Sequence, residues 1–257
     1  MKTDKKAWHL AVAGCGTASL PVLRSVLLDT SLPLPETVLT VDVDRVADNA
    51  FTCPEYRDQA GRPKAEAAAD LVRRWSSRRV PTAAVVSDLE DVDWRVVVRA
   101  VPAGQLLAVV AGIDDYDSRL NLVRGLRAAN AGRDAELLHV QIGLDRDAAV
   151  VSVFSDCWDD PCPACNLPYL PGPEPCLVLD RRGVPSRGSL QAEGRAAAET
   201  TVQIIADSLA GRLADWLNRK VVLAFDRDGR PGYRRHVRRR RRMADCLGAH
   251  WPSMKLA

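Results

Sequence analysis

Short apolar runs alternate with amphipathic stretches along roughly the first 155 residues of the chain. Ala7 to Ala13 is an apolar run that stops at Gly14-Cys15-Gly16, the pattern of a strand buried on both faces of a parallel sheet. Thr17 to Asp29 places Leu20, Leu23, Val26 and Leu27 at helical spacing, and Pro21 suits the first turn of that helix. Val38 to Val43 predicts a second strand, with Asp42 and Asp44 at its end. Lys64 to Arg74 is an Ala-rich helix, Thr82 to Val86 a third strand, and Asp93 to Ala100 a helix. Leu106 to Ile113 is a fourth strand closed by Asp114 and Asp115, followed by a helix over Ser118 to Ala129. Leu137 to Ile142 and Ala148 to Phe154 complete the series as strands. Strand–helix alternation of this kind predicts an α/β fold with a doubly wound, Rossmann-like, mostly parallel sheet.

The texture changes after residue 155. Asp156 to Ser189 is rich in Pro, Gly and Cys and reads as a loop. Gly194 to Asn218 predicts a long amphipathic helix, and Lys220 to Phe225 and Tyr233 to Arg242 predict a hairpin around Asp226 to Arg230. The expected organisation is a nucleotide-binding part over residues 1–155 and a crossover loop, long helix and C-terminal β/zinc subdomain over 156–257. The two parts are expected to form one continuous domain.

Composition narrows the classes. The 257 residues are 47% hydrophobic but only 5% aromatic, so the core is built from Ala, Val and Leu. A net charge of +3 gives no case for nucleic acid by itself, and no apolar run reaches the ~20 residues of a membrane span. The apolar run after the charged N-terminus enters a glycine motif, so it reads as a strand rather than a signal peptide, and the expected location is cytoplasmic. Disulfides are not expected there. The seven cysteines, with Cys157, Cys162, Cys165 and Cys176 close together, then read as metal or thiol chemistry.

Gly14-Cys15-Gly16-Thr17-Ala18-Ser19 is a glycine turn between a strand and a helix, with serine in place of the third glycine of a dinucleotide fingerprint. Taken alone it fits a phosphate cradle, an NAD site or a tight turn with no ligand. Its companions are more specific. They are Asp42-Val-Asp44, Asn49, Gly61-Arg62-Pro63-Lys64, and Ile113-Asp114-Asp115 with Arg119 downstream. In this order they resemble the ThiF/MoeB/HesA family of ubiquitin-activating-enzyme-like adenylyltransferases. The resemblance implies ATP and Mg²⁺ bound by Gly14, Gly16, Thr17, Asp42, Asp44, Asn49, Lys64, Asp114 and Asp115. In that scheme Asp42 accepts from ribose hydroxyls, Lys64 neutralises phosphate charge and Asp114 holds the hard Mg²⁺ cation. The reaction implied is attack of a carboxylate on the α-phosphate, giving an acyl-adenylate and pyrophosphate. Separately, Lys64 fits a plain helix start and Asp114 a plain helix N-cap.

Two departures from the family pattern stand out. Thr52 occupies the place of an arginine expected three residues after Asn49, with Arg57 and Arg62 as candidate substitutes. The first strand begins near residue 7, without the N-terminal helix whose arginine reaches a neighbouring subunit.

Cys162-Pro-Ala-Cys165 offers two thiolates that can hold one Zn²⁺, with thioredoxin-like redox chemistry as the rival reading. The resemblance places a second pair near the C-terminus, where this chain offers Cys246 and His250, with Cys157 in reserve. Cys176, in the crossover loop, matches the region where relatives carry a thiol that attacks the adenylate; an ordinary loop cysteine is the alternative. Tyr233 to Met243 holds seven arginines. An edge strand kept soluble by charge comes first, docking to an acidic partner second and RNA third.

The implied substrate is the C-terminal carboxylate of a small ubiquitin-like sulfur carrier, with a homodimer as the family habit. The alternatives are adenylation of a peptide or small-molecule carboxylate in specialised biosynthesis, and a catalytically weak homologue serving as a binding subunit.

Overall fold

The computed structural model describes residues 6–29, 31–47, 53–132, 136–145, 148–166, 187–225, 233–240 and 246. Eight strands form one sheet: β1 Trp8–Ala13, β2 Thr37–Val41, β3 Thr82–Val85, β4 Leu106–Ala111, β5 Glu136–Asp145, β6 Ala148–Phe154, β7 Arg219–Phe225 and β8 Tyr233–Arg239. Among the described residues five α-helices accompany them: α1 Leu20–Leu28, α2 Lys64–Trp75, α3 Trp94–Arg99, α4 Tyr116–Asn130 and α5 Arg187–Leu209.

The strand order is β3-β2-β1-β4-β5-β6-β7-β8. The first five strands run parallel, and β6, β7 and β8 continue the sheet antiparallel. The direction changes at β5–β6 because only residues 146 and 147 separate Asp145 from Ala148, too short a link for a parallel crossover. The C-terminal hairpin β7–β8 therefore extends the main sheet.

Helices cover both faces. Val22, Leu23 and Val26 of α1, Leu71 and Val72 of α2, and Ile204 and Ile205 of α5 share one core with the sheet. Trp94 and Val98 of α3 and Leu122 and Leu126 of α4 build the other core against β1 and β4. The strands β1 and β4 are buried along their whole length, as a sheet covered on both faces requires. The long helix predicted to start at Gly194 already runs from Arg187 and ends at Leu209, and a short 3-10 turn, Leu213–Asp215, follows it. Asp207 secures that end by accepting from the Arg212 guanidinium and, at 2.9 Å, from the Trp216 indole N–H. No described helix is long and apolar enough to cross a membrane.

Candidate nucleotide site and cysteine cluster

The strand order reverses between β1 and β4, and the helices that follow them, α1 and α4, pack on opposite faces of the sheet, so this is the switch point at which a doubly wound sheet binds its ligands. Gly14 takes φ +77°, and a Cβ on it would lie 2.6 Å from the Gly112 carbonyl oxygen. A Cβ on Gly112 would lie 2.9 Å from Ser19 Oγ and 3.0 Å from Ala18 Cβ. These two glycines let the loops after β1 and β4 touch. Ser19, in the place of the third fingerprint glycine, is buried and donates its hydroxyl to the Gly14 carbonyl, closing the turn. The Tyr56 hydroxyl donates to the Cys15 carbonyl at 2.7 Å from a short 3-10 turn, Pro54–Tyr56. A Cβ on Gly194 of α5 would come within 3.0 Å of the Thr17 carbonyl. Gly16 differs, because among the described residues nothing lies within 4 Å of a Cβ placed there. The turn is clamped from behind and open in front.

Asp42 leaves the end of β2 and is buried beside this turn. One carboxylate oxygen accepts from the Cys15 amide at 2.6 Å, the other from the Asp44 amide at 2.8 Å. Burial raises its pKa although both amides favour the ion. Each oxygen retains a second lone pair for a further donor. Lys64 opens α2, and its Nζ donates to Asp44 Oδ2 at 2.7 Å. Burial works against its charge, but the bond to Asp44 and the charges of Asp42 and Asp44 prevail and hold its pKa above the ordinary value.

Beyond β4, Asp114 is exposed at the rim, whereas Asp115 caps α4 by accepting from the Ser118 amide at 2.6 Å. Arg119 turns back from α4, and its Nε donates to the Ile113 carbonyl at 2.5 Å. Asp93 likewise caps α3. By contrast α1 and α2, which start at the glycine turn and at Lys64, have no side-chain cap among the described residues. Uncapped helix starts of this kind present N–H groups to an anion. Beside the turn, a cavity of about 400 Å³ runs along α1 between Thr17, Cys53, Glu55 and, from α5, Gln191 and Arg195.

The second cluster is made of sulfur. Cys162 Sγ lies 3.9 Å from Cys165 Sγ and 3.6 Å from Cys246 Sγ. A tetrahedral zinc with Zn–S bonds of about 2.3 Å needs S···S edges of about 3.8 Å, so the three thiols fit one ion. Exposed Cys157 is not among them. Buried Arg240 donates to the Cys162 carbonyl at 2.8 Å and lies 4.2 Å over the Phe154 ring. Buried Arg127 donates to the carbonyls of Ser155, Asp160 and Pro161, bracing the loop that carries Cys162. Burial lowers the Arg240 pKa to about 10, and burial together with these two cations pushes His139 down to about 3.

The structure thus brings Gly14, Gly16, Thr17, Asp42, Asp44, Lys64, Asp114 and Asp115 to the carboxyl ends of β1, β2 and β4, and Cys162, Cys165 and Cys246 together elsewhere. Asn49, Thr52, Cys176 and His250 lie outside the described residues. Of the two substitute arginines, Arg62 is paired with Asp70 at 2.8 Å and bonded to Gln59, and Arg57 is exposed. Tyr56, Gly112 and Gly194 were not foreseen. The sequence pattern placed Gly112 inside the fourth strand, but β4 ends at Ala111 and Gly112 begins the loop after it.

The fold is a doubly wound α/β sheet with its glycine turn at the switch point. It is similar to that of MccB from E. coli, with a TM-score of 0.62 at 14% identity over 98% of this chain and 67% of that one. The structure of MccB with ATP matches with a TM-score of 0.62, 16% identity, 95% of this chain and 67% of that one. MccB with MccA-N7isoASN gives 0.63, 16%, 95% and 68%. PaaA gives 0.56, 14%, 91% and 64%. The chain spans about two thirds of the length of these proteins. No protein-family model matches the sequence, and no characterised protein matches it by sequence.

Proposed function

We propose that the chain is an ATP-dependent adenylyltransferase of the ThiF/MoeB kind that activates the C-terminal carboxylate of a polypeptide. The observation that carries this reading is the grouping of an open Gly16, a buried Asp42, an acid-held Lys64 and an exposed Asp114 at one switch point. The shared fold with MccB, a protein crystallised with ATP and with MccA, supports it. The N7isoASN form of MccA marks it as a polypeptide, which favours a peptide carboxylate here. A ubiquitin-like sulfur carrier is the narrower version of the same substrate class.

In this reading the phosphates lie over Gly16 and the uncapped starts of α1 and α2. Asp42 accepts from the ribose with its remaining lone pairs. Val43 and Val86, 49% and 47% exposed beyond the ends of β2 and β3, offer an apolar shelf to the adenine. Lys64, held protonated by Asp44, supplies a fixed cation to the phosphates. Asp42, Asp44 and Asp114 would repel bare ATP, so the nucleotide must arrive as its magnesium complex, for which exposed Asp114 is a suitable oxygen ligand. Bound Mg²⁺ supplies charge neutralisation at the phosphates. The acceptor carboxylate attacks the α-phosphorus, the bond to the β-phosphate oxygen breaks, and pyrophosphate leaves as the acyl-adenylate forms. Cys176 is the candidate thiol for capturing that adenylate with loss of AMP.

The cysteine cluster is a structural zinc site, with His250 as fourth ligand. It ties the loop after β6 to the segment after β8 and takes no part in the chemistry.

Titration calorimetry with MgATP tests the nucleotide assignment. The wild-type chain is expected to bind, and Lys64→Ala to weaken binding at least tenfold, or about 1.4 kcal/mol. Absence of MgATP binding by the zinc-loaded wild-type chain would overturn the enzyme reading and favour a binding subunit.

A further inference from the structure

Nucleotide chemistry makes no use of the most strongly charged element of the molecule. The last strand of the sheet, β8, pairs with β7 on one side, and among the described residues its other edge is unpaired. Every residue from Arg234 to Arg239 is exposed, so neither face of the strand is covered. Alternation divides the side chains. Arg235, Val237 and Arg239 share the face on which Val221 and Leu223 meet α5; Arg234, His236 and Arg238 occupy the other. Arg235 is held 5.7 Å over the Trp216 ring, whose own position Asp207 fixes. At the end of the strand Arg240 turns inward to the cysteine loop, which anchors β8 from that side. Among the described residues, none of Arg234, Arg235, Arg238 and Arg239 is ion-paired.

Edge strands often carry charge to block aggregation. This edge carries four arginines on both faces and leaves Val237, between them, 45% exposed. An exposed valine works against edge protection, whereas a docking strand needs an apolar contact between its charges. Arginine, with its planar fork, suits carboxylates better than the lysine usual at protected edges. A second copy of the chain is a poor occupant, since pairing two β8 edges sets arginine against arginine. Nucleic acid is also disfavoured, because a strand edge offers amide and carbonyl groups that match a peptide backbone, and the Trp216 ring beside the strand is already covered by Arg235.

We propose that β8 is a docking edge for an acidic, extended polypeptide segment that adds to the sheet as the next strand. Its main chain pairs with the edge left unpaired among the described residues, its Asp or Glu side chains meet the arginines, and its apolar positions cover Val237. The proposal does not depend on adenylation and is tested without ATP.

The test uses the full chain, zinc-loaded, and a fluorescein-labelled peptide with an alternating Glu-Val core as long as β8, seven residues. A Lys-Val peptide and a single-stranded RNA of equal length serve as competitors. Anisotropy is expected to show binding of the acidic peptide that weakens as salt rises. The doubly substituted Arg234→Glu, Arg238→Glu chain should bind roughly tenfold or more weakly, with Arg→Gln at both positions intermediate and melting temperatures unchanged. Hydrogen exchange should slow at the amides of 234–239 when the peptide is bound. Failure to bind the acidic peptide, tighter binding of RNA, or binding without protection of β8 would each overturn the proposal.

Discussion

A methyl group added at Gly14 and one added at Gly16 should have opposite consequences. In Gly14→Ala the residue must keep φ +77°, which costs an L-residue about 1–2 kcal/mol. The new Cβ also lies 2.6 Å from a backbone oxygen, that of Gly112, which moves only if the end of β4 moves. Overpacking of that kind costs about 1–3 kcal/mol. The sum, about 2–5 kcal/mol, should lower the melting temperature by roughly 5–15 °C for a chain of this size. In Gly16→Ala the Cβ meets nothing within 4 Å among the described residues, so stability should change by less than about 0.5 kcal/mol. That Cβ does project into the space assigned to phosphate, and MgATP affinity should fall at least tenfold, about 1.4 kcal/mol. Thermal melting and calorimetry on both variants give the four numbers. If Gly16→Ala bound MgATP like the wild type, the turn would not be the phosphate cradle. If Gly14→Ala melted like the wild type, the contact between the β1 and β4 loops would be wrong.

Other consequences follow from the same geometry. Tyr56→Phe leaves the buried Cys15 carbonyl without its 2.7 Å donor and should cost about 1–3 kcal/mol, read from denaturant melts. Cys165→Ser should abolish stoichiometric zinc by elemental analysis and lower stability by about 3 kcal/mol or more, and chelation of the wild type should do the same. His139 is buried neutral with its pKa at about 3, so between that value and the unfolded pKa near 6.5 the unfolded chain binds the extra proton. Its contribution to stability is complete above pH 6.5 and declines as pH falls, by about 2 kcal/mol at pH 5. His139→Phe should remove that part of the acid sensitivity in melts between pH 5 and 7.

Much of the fold could be read from the apolar runs, because β1 and β4 are buried on both faces and so are almost continuously apolar. The placement of the strand-end aspartates and Lys64 at the switch point was legible for a related reason: they follow directly on the strand ends and a helix start that the apolar pattern marks. What stayed hidden depends on residues distant in sequence. Tyr56 reaches Cys15 and Gly112 meets Ser19 only once the chain is folded. Ser19 looked like a flaw in the fingerprint, yet its hydroxyl closes the turn onto Gly14. The cap of α4 is Asp115 rather than Asp114, a one-residue distinction set by backbone direction at the end of β4. The antiparallel turn of the sheet was implicit in the two-residue link after Asp145, whereas the inward course of Arg240 from a string of exposed arginines was not.

The most direct test of carboxylate activation is ATP–pyrophosphate exchange in the presence of magnesium and a polypeptide acceptor. Labelled pyrophosphate is expected to enter ATP only when the acceptor carries a free C-terminal carboxylate, with C-terminal amidation or Lys64→Ala abolishing exchange. Lack of exchange with every free-carboxylate acceptor, from a chain that binds MgATP and zinc, would contradict the account. Exchange that persists with an amidated acceptor would also contradict it.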